Sequence, residues 1–391
     1  MAVKLLIFET HPIQYRAPIY VALQKLIPNQ FYVIYASDFS LHGYRDSGFS
    51  AEIAWDTPLL LGYPNLVLQN ATERGIDHWS GLHGAGVADV FGHYRPKAVL
   101  LSSFRYKFSW RVILESVAHR AKLWIRVETQ DEANVRSRRK AIVRYLIYWT
   151  FYKLVSHAFY IGEANRRHLH LHGLKAAQLS PARYCAVDCL AKTSGAQREA
   201  RRMAARMRLH VRAGSVVVAF FGKLVEKKDP LILLKSVPFF CDVLREKVHL
   251  LFVGSGAMES ELKQCAFQLE EKLQVSFVGF VNQQAIGDYY LASDVVVLPS
   301  KKMGETWGLV INEALQAGCS IVVSDNVGCR HDFSMLERFR VFPSGNAEKL
   351  AGAIHDVARF PRDLFWCADF MRNYSVEMAA EALAAEVGKL Q

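Results

Sequence analysis

Two carboxylates, Glu305 and Glu313, stand eight positions apart in Lys301-Lys302-Met303-Gly304-Glu305-Thr306-Trp307-Gly308-Leu309-Val310-Ile311-Asn312-Glu313. An ionised carboxylate only accepts hydrogen bonds, so two together suit a ligand rich in hydroxyls, which donate. The run ahead of them, Asp294-Val-Val-Val-Leu-Pro299, is short, β-branched and ended by proline. It reads as a buried parallel strand. A loop and then a helix over 309–317 are predicted next, with Gly308 allowing close backbone approach at the helix start and Gly318 supplying a left-handed residue at its end. A helix start carries unpaired N–H groups and about half a positive charge, so it favours an anion such as a diphosphate. Glu313, about one turn in, leans back toward that start. Taken alone, such a pair is usually a solvated loop residue and a surface charge.

The preceding residues change that balance. Val216-Val-Val-Ala-Phe-Phe221 is a second buried-strand pattern, followed at once by Gly222-Lys223-Leu224-Val225-Glu226-Lys227-Lys228. A glycine directly after a strand, then lysines around a turn, places cations on the carboxyl edge of a parallel sheet, where open α/β folds bind ligands. The pattern returns in His249-Leu-Leu-Phe-Val-Gly254-Ser255-Gly256 with a helix over 258–270, in Val275-Ser-Phe-Val-Gly279, and in Ser320-Ile-Val-Val-Ser324. Without a third glycine, Gly254-x-Gly256 is not a dinucleotide fingerprint. Strands alternating with helices imply βαβ units and one parallel sheet.

This series of segments, taken in order, resembles the retaining nucleotide-sugar glycosyltransferases of family four. Its matching pieces are Phe221-Gly222-Lys223-Leu224 with Lys228, Phe252-Val-Gly-Ser-Gly256, Phe277-Val-Gly-Phe280, Ala292-Ser-Asp-Val-Val-Val-Leu-Pro-Ser300, the Glu305…Glu313 pair and Ala317-Gly318. The resemblance implies a GT-B fold: α/β, two facing Rossmann-like domains with the active-site cleft between them. It further implies that Lys223 replaces the family's arginine and Lys228 its phosphate-binding lysine. The exchange at 223 keeps the charge but loses the planar fork of a guanidinium. By the same resemblance Glu305 accepts from donor-sugar hydroxyls, Glu313 holds the ribose diol, and Gly222, Thr306, Trp307, Gly308 and Leu309 line the sugar and phosphates. Gly279, Phe280 and Val281 lie where the family seats the nucleobase.

A chain of 391 residues is too long for one compact core. The division expected is an acceptor-side domain over 1–190, a linker over 191–213, a donor-side domain over 214–365 and a closing helix over 366–391 that crosses back to the first domain. Strands of the first domain are predicted at 3–8, 31–35, 98–102, 123–127 and 158–161. After the first strand, Glu9-Thr10-His11-Pro12-Ile13-Gln14-Tyr15-Arg16-Ala17-Pro18 stands where the family often has a glycine-rich loop. His11, Gln14 and Arg16 either face the cleft there or belong to a loop that merely starts a helix at Pro18. After the fourth strand, Arg126-Val127-Glu128-Thr129-Gln130-Asp131-Glu132 lacks the histidine that many relatives carry near the donor sugar. Glu128 is the preferred replacement and Gln130 the second.

The net charge is +11, concentrated in Arg136, Arg138, Arg139, Lys140 and Arg144, which open the apolar run 142–152. A basic helix with aromatics can lie on an anionic membrane, but core packing of its apolar side is the expectation, because helices of doubly wound folds are covered on one face. No apolar run approaches the roughly 20 residues of a spanning helix, and residues 1–4 lead straight into a strand. The protein is expected either free in the cytoplasm or attached peripherally to the inner membrane face. Seven cysteines without Cys-x2-Cys spacing argue against a disulfide framework or zinc site. His168, His170 and His172 should spread around a helix surface, so no metal and no cofactor are expected. The function expected is sugar transfer from a nucleotide diphosphate sugar to a glycan or lipid-linked hydroxyl acceptor. A nucleotide-sugar epimerase of the same fold is the alternative; a nucleic-acid-binding protein rests on charge alone, and nucleic acid is not an expected partner.

Overall fold

In the computed structural model, which describes residues 3–41, 44–46, 51–53, 58–71, 78–269 and 273–390, the apolar runs form two parallel sheets. The first half contributes β1 (Leu5–Glu9), β2 (Phe31–Tyr35), a small antiparallel ribbon of β3 (Tyr44–Asp46) and β4 (Ala51–Ile53), β5 (Asn65–Val67), β6 (Ala98–Leu101), β7 (Lys122–Ile125), β8 (Val155–Tyr160) and β9 (Leu179–Pro181). The second contributes β10 (Val216–Phe221), β11 (Val248–Val253), β12 (Gln274–Gly279), β13 (Val295–Leu298), β14 (Ser320–Ser324) and β15 (Phe339–Phe342). Sheet orders are β5-β2-β1-β6-β7-β8-β9 and β12-β11-β10-β13-β14-β15. Parallel strands need crossovers, which cover both faces, so these strands are apolar throughout instead of alternating. β1, β6, β10 and β13 are wholly buried but for Val216.

In each sheet the order reverses beside the first strand, between β1 and β6 and between β10 and β13. The crevices outside the carboxyl ends at such points are where open α/β sheets bind ligands. Here the first crevice holds Glu9 and Ser102 and the second holds the lysine turn and the Glu305 loop. The helix Val376–Gly388 packs through Ala379, Ala380, Leu383 and Val387 against Ile19 and Leu23 of the helix Ala17–Leu26, on the first sheet. The helix Gly195–Arg208 is fastened to the second sheet: Arg202 donates to the Leu291 carbonyl and to Asp294, and Arg206 to the Ala292 carbonyl and to Asp294. The helix expected over 258–270 spans Glu259–Gln268, and Glu270 lies outside the described residues. Among the described residues no helix is long and apolar enough to cross a membrane.

Two expectations are corrected. The helix Arg138–Tyr152 does not bury its apolar side: only Phe151 and Tyr152 are buried, while Ile142 is 62% and Leu146 54% exposed. The reason is angular. Arg144, Tyr148, Phe151 and Tyr152 recur at helical spacing on the inward face, which leaves Ile142, Leu146 and Trp149 on the opposite one. Nor do the three histidines spread over a surface. His168 and His172, one turn apart on the helix Glu163–Leu171 and its cap, are both buried with rings 4.2 Å apart, and only His170 faces out.

Candidate active site

Three strands of the second sheet end at glycines in positive-φ conformations. Gly222 and Gly254 both have φ of +137°, and Gly279 has +80°. A Cβ on Gly254 would fall 1.9 Å from the Gly222 carbonyl oxygen, which no side chain tolerates. The lysine turn follows Gly222 directly. From that turn Lys228 donates to Glu305 Oε2, which also accepts from Ser300 Oγ at 3.0 Å, and Lys227 Nζ donates to the Gly304 carbonyl at 3.0 Å. Burial would push the Glu305 carboxyl up, but Lys228 and Lys227 outweigh it and hold it below the usual range. Burial also lowers the pKa of Lys227; Glu305 and Glu128 oppose that, while Lys228 and Lys223 add to it. The geometry thus packs cations around one ionised carboxylate at the sheet edge, with Lys223 half-buried beside them.

Gly308, with φ of +104°, starts the helix Leu309–Gln316, and a Cβ there would meet Leu298 at 2.6 Å. Glu313 is buried within this helix. Its Oε2 accepts from Tyr290 at 2.6 Å and its Oε1 from Gln283 and Tyr15, each at 3.4 Å. Burial raises its pKa, and those three donors offset only part of the rise. Phe280 and Val281 are half-buried and lie just ahead of Gln283, so the predicted nucleobase loop adjoins Glu313. Tyr15, Gln283 and Tyr290 carry no motif, and sequence reasoning missed all three.

Trp307, expected among the donor-binding residues, turns its side chain elsewhere. Its ring is not in the cleft but wedged between the two halves, 3% exposed, packed on Tyr184, Phe333 and Tyr374, with Nε1 donating to Asn312. Gly162 is required opposite it, since a Cβ there would fall 2.1 Å from the indole. Gly328, also overlooked, lies so close to the Thr306 carbonyl that a Cβ would stand 1.8 Å from its oxygen. Both contacts set the path of the Glu305 loop.

From the first sheet, Arg16 links buried Glu9 to Glu128, at 3.0 Å from Glu128 Oε1, which also accepts from Tyr184. Gln130 Nε2 lies 3.5 and 3.4 Å from the carbonyls of Glu305 and Thr306, and the Gly304 N–H donates to the Ala133 carbonyl at 2.7 Å. The two crevices therefore meet. His11 lines neither of the two main cavities; it packs on Phe39 and bonds Thr10, and burial with Arg16 pushes its pKa down to about 4. Gln14, Tyr15 and Gln283 line an apolar cavity of about 760 Å³ that also touches the 186–192 segment. Arg16, Glu128 and Thr306 line a second, of about 510 Å³. The second cavity gathers charged groups of the first half, Arg16, Arg105, Glu128, Arg136 and Arg144, against Thr306 of the Glu305 loop.

Asp131, His168 and His172 bring potential ligand atoms within 4.8 Å of one another, a cluster that the sequence reading did not foresee. All three are engaged already: His168 pairs with Asp131 at 2.8 Å and Tyr152 at 2.9 Å, and His172 Nδ1 with the His168 carbonyl at 2.8 Å. With Arg144 also near Asp131, the group fits a network that pins the 130–132 loop better than a metal site.

Residues 204–362 match the family described as Glycosyl transferases group 1. An uncharacterized glycosyltransferase of Methanocaldococcus jannaschii is 34% identical over 119 residues, 30% of each chain. A D-inositol 3-phosphate glycosyltransferase of Rhodococcus erythropolis is 29% identical over 195 residues, 46% of this chain and 43% of that one. The chain thus matches less than half the length of these relatives. The Anabaena protein HepE, in complex with UDP and glucose, superposes with a TM-score of 0.62 over 99% of this chain and 97% of that one, at 18% identity. The fold is α/β, of GT-B type.

Proposed function

We propose that this protein transfers a sugar from a nucleotide diphosphate sugar to a hydroxyl acceptor, with retention of anomeric configuration. The observation that carries the reading is the Lys228–Glu305–Ser300 constellation beside a glycine-opened helix start, facing Glu128 and Arg16. The family match over 204–362 supports the reaction class, and the UDP and glucose held by the Anabaena protein support the donor class.

In this reading the bond between the anomeric carbon and the diphosphate oxygen breaks as the acceptor oxygen bonds to the same carbon from the same face. The acceptor's proton passes to a phosphate oxygen. Lys223, Lys228 and the N–H groups at Gly308 and Leu309 stabilise the leaving charge, which a fixed field does without reorganising during the step. Glu305 orients the sugar and shares Lys228 with the diphosphate. Glu313 holds the ribose diol. Glu128, held by Arg16 and Tyr184, flanks the sugar from the other half. Two lysines and a helix start supply the neutralisation that a divalent ion would otherwise give, so no metal is invoked.

The acceptor in this proposal is a cell-surface glycan or lipid-linked saccharide, reached from the membrane surface. Peripheral contact through the helix Arg138–Tyr152 is supported by its exposed Ile142, Val143, Leu146, Ile147 and Trp149, with Arg138, Arg139 and Lys140 exposed at its start. The test is a screen of UDP-, GDP- and ADP-sugars for slow release of free nucleotide diphosphate. Release from one donor is expected. No release from any, with an epimerised nucleotide sugar formed instead, would replace the proposal by the epimerase reading.

A further inference from the structure

The cavity of about 510 Å³ holds more positive charge than donor chemistry requires. Arg16 and Glu128 answer one another in its wall, but Arg105, Arg136 and Arg144 line it too, and among the described residues that line it Glu128 is the only carboxylate. Arg136 Nη1 donates to the Asp131 carbonyl at 2.8 Å, and Arg144 Nη2 to the Gln130 carbonyl at 3.2 Å. Arg144 Nη1 is buried without a hydrogen-bond partner; its nearest acceptor charge is Asp131 Oδ1 at 3.5 Å, a carboxylate whose other oxygen is given to His168. Burial first and the neighbouring Arg144 second push the pKa of Arg136 down, against Asp131 and Tyr148. Such guanidiniums are satisfied together by an anion with several oxygens, because the guanidinium fork matches phosphate in a bidentate way.

The helix that lines the cavity with one face also bares an apolar surface on the other. Arg144 and Tyr148 line it from the inward face of the helix Arg138–Tyr152, with the Arg144 guanidinium 4.4 Å from the Tyr148 ring centre. The outward face of the same helix bares Ile142, Leu146 and Trp149, and the adjoining helix Lys107–Ala118 bares Trp110, Leu114 and Val117. Trp110 and Phe151 join the two helices at 6.0 Å between ring centres.

Resting on the transferase reading above, the geometry points to a phosphate subsite for the acceptor, formed by Arg105, Arg136 and Arg144. The acceptor it takes is a phosphorylated amphiphile. Its phosphate lies among the three arginines, its apolar chain leaves along the helix Arg138–Tyr152 into the bilayer, and its hydroxyl-bearing end lies toward Glu128 and Thr306. A soluble anionic acceptor would use the arginines but not the bared helix; a neutral lipid would use the helix but not the arginines.

The full chain, saturated with whichever of UDP, GDP and ADP stabilises it so that the donor diphosphate site is filled, is titrated calorimetrically with farnesyl diphosphate, farnesol and inorganic diphosphate. Farnesyl diphosphate should bind at least tenfold more tightly than either of the others. Arg136→Gln and Arg105→Gln should each weaken farnesyl diphosphate about tenfold while leaving farnesol unchanged, a difference that mere structural damage would not produce. Leu146→Glu should weaken farnesyl diphosphate and leave inorganic diphosphate alone. Farnesol binding as tightly as farnesyl diphosphate, or indifference of both arginine variants, overturns the phosphate subsite. Inorganic diphosphate binding as tightly overturns the amphiphile. Stabilisation of the wild-type chain by UDP, GDP and ADP is measured separately: if one of them stabilises it while the lipid titrations fail, only the subsite falls, and if none does the transferase reading falls first.

Discussion

The Tyr15 hydroxyl reaches Glu313 Oε1 at 3.4 Å across 298 positions of sequence, so that a residue from the first half closes the carboxylate site of the second. Glu313 is left with three donors and almost no water. Burial raises its folded-state pKa above the ordinary carboxylate value. The stability it contributes is therefore fully present below the unfolded pKa and is lost as pH rises through the folded one.

Glu313→Gln removes that loss. Its melting temperature should exceed the wild type's by a margin that widens from pH 5 to pH 8. The same change should weaken UDP about tenfold, since a charge-assisted hydrogen bond contributes roughly 1.5 kcal/mol or more. Parallel melting curves across pH, with UDP titrations at pH 7.5, check both; a margin that narrows with pH would contradict the burial argument.

Glu305→Gln should lower turnover by about a hundredfold, the scale of losing one group that orients charge in a closed site. UDP affinity should hold or rise slightly, because Lys228 no longer divides itself between carboxylate and phosphate. Single-turnover rates beside UDP titration make the comparison. Wild-type turnover would remove Glu305 from the site.

Lys223→Gln and Lys228→Gln should each weaken UDP or GDP by ~10- to 100-fold and leave the nucleoside nearly unaffected, as contacts to charged phosphate contribute roughly 1.5 to 3 kcal/mol. Equal losses for nucleoside and diphosphate would place the lysines elsewhere.

Activity in excess EDTA should match activity in magnesium. The proposed cations already surround the diphosphate, and the Asp131, His168 and His172 side chains are taken up by one another, by Tyr152 and by a backbone carbonyl. Loss of activity in chelator, restored by magnesium or manganese, would show that the leaving group is stabilised differently.

What the sequence by itself determined is local. Gly222 after β10, the lysines of its turn, Glu305 before Gly308 and Glu313 within the helix lie within a few residues of the elements that place them, so spacing alone locates them at a sheet edge. The two sheets were legible for the same reason: a strand covered on both faces writes a continuous apolar run. The tertiary structure decided what meets across the chain. Arg16 finds Glu128 over 112 positions and Gln130 finds the Glu305 carbonyl over 175, pairings that no local pattern carries. It also decided direction. Trp307 sits between Glu305 and Gly308 in sequence, yet Asn312 and the room left by Gly162 turn its ring into the interior. The helix Arg138–Tyr152 has residues enough for either outcome, and the bond of Arg144 to the Gln130 carbonyl, the packing of Tyr148 on His168 and His172, and the burial of Phe151 and Tyr152 fix which face is turned inward and which is left bare.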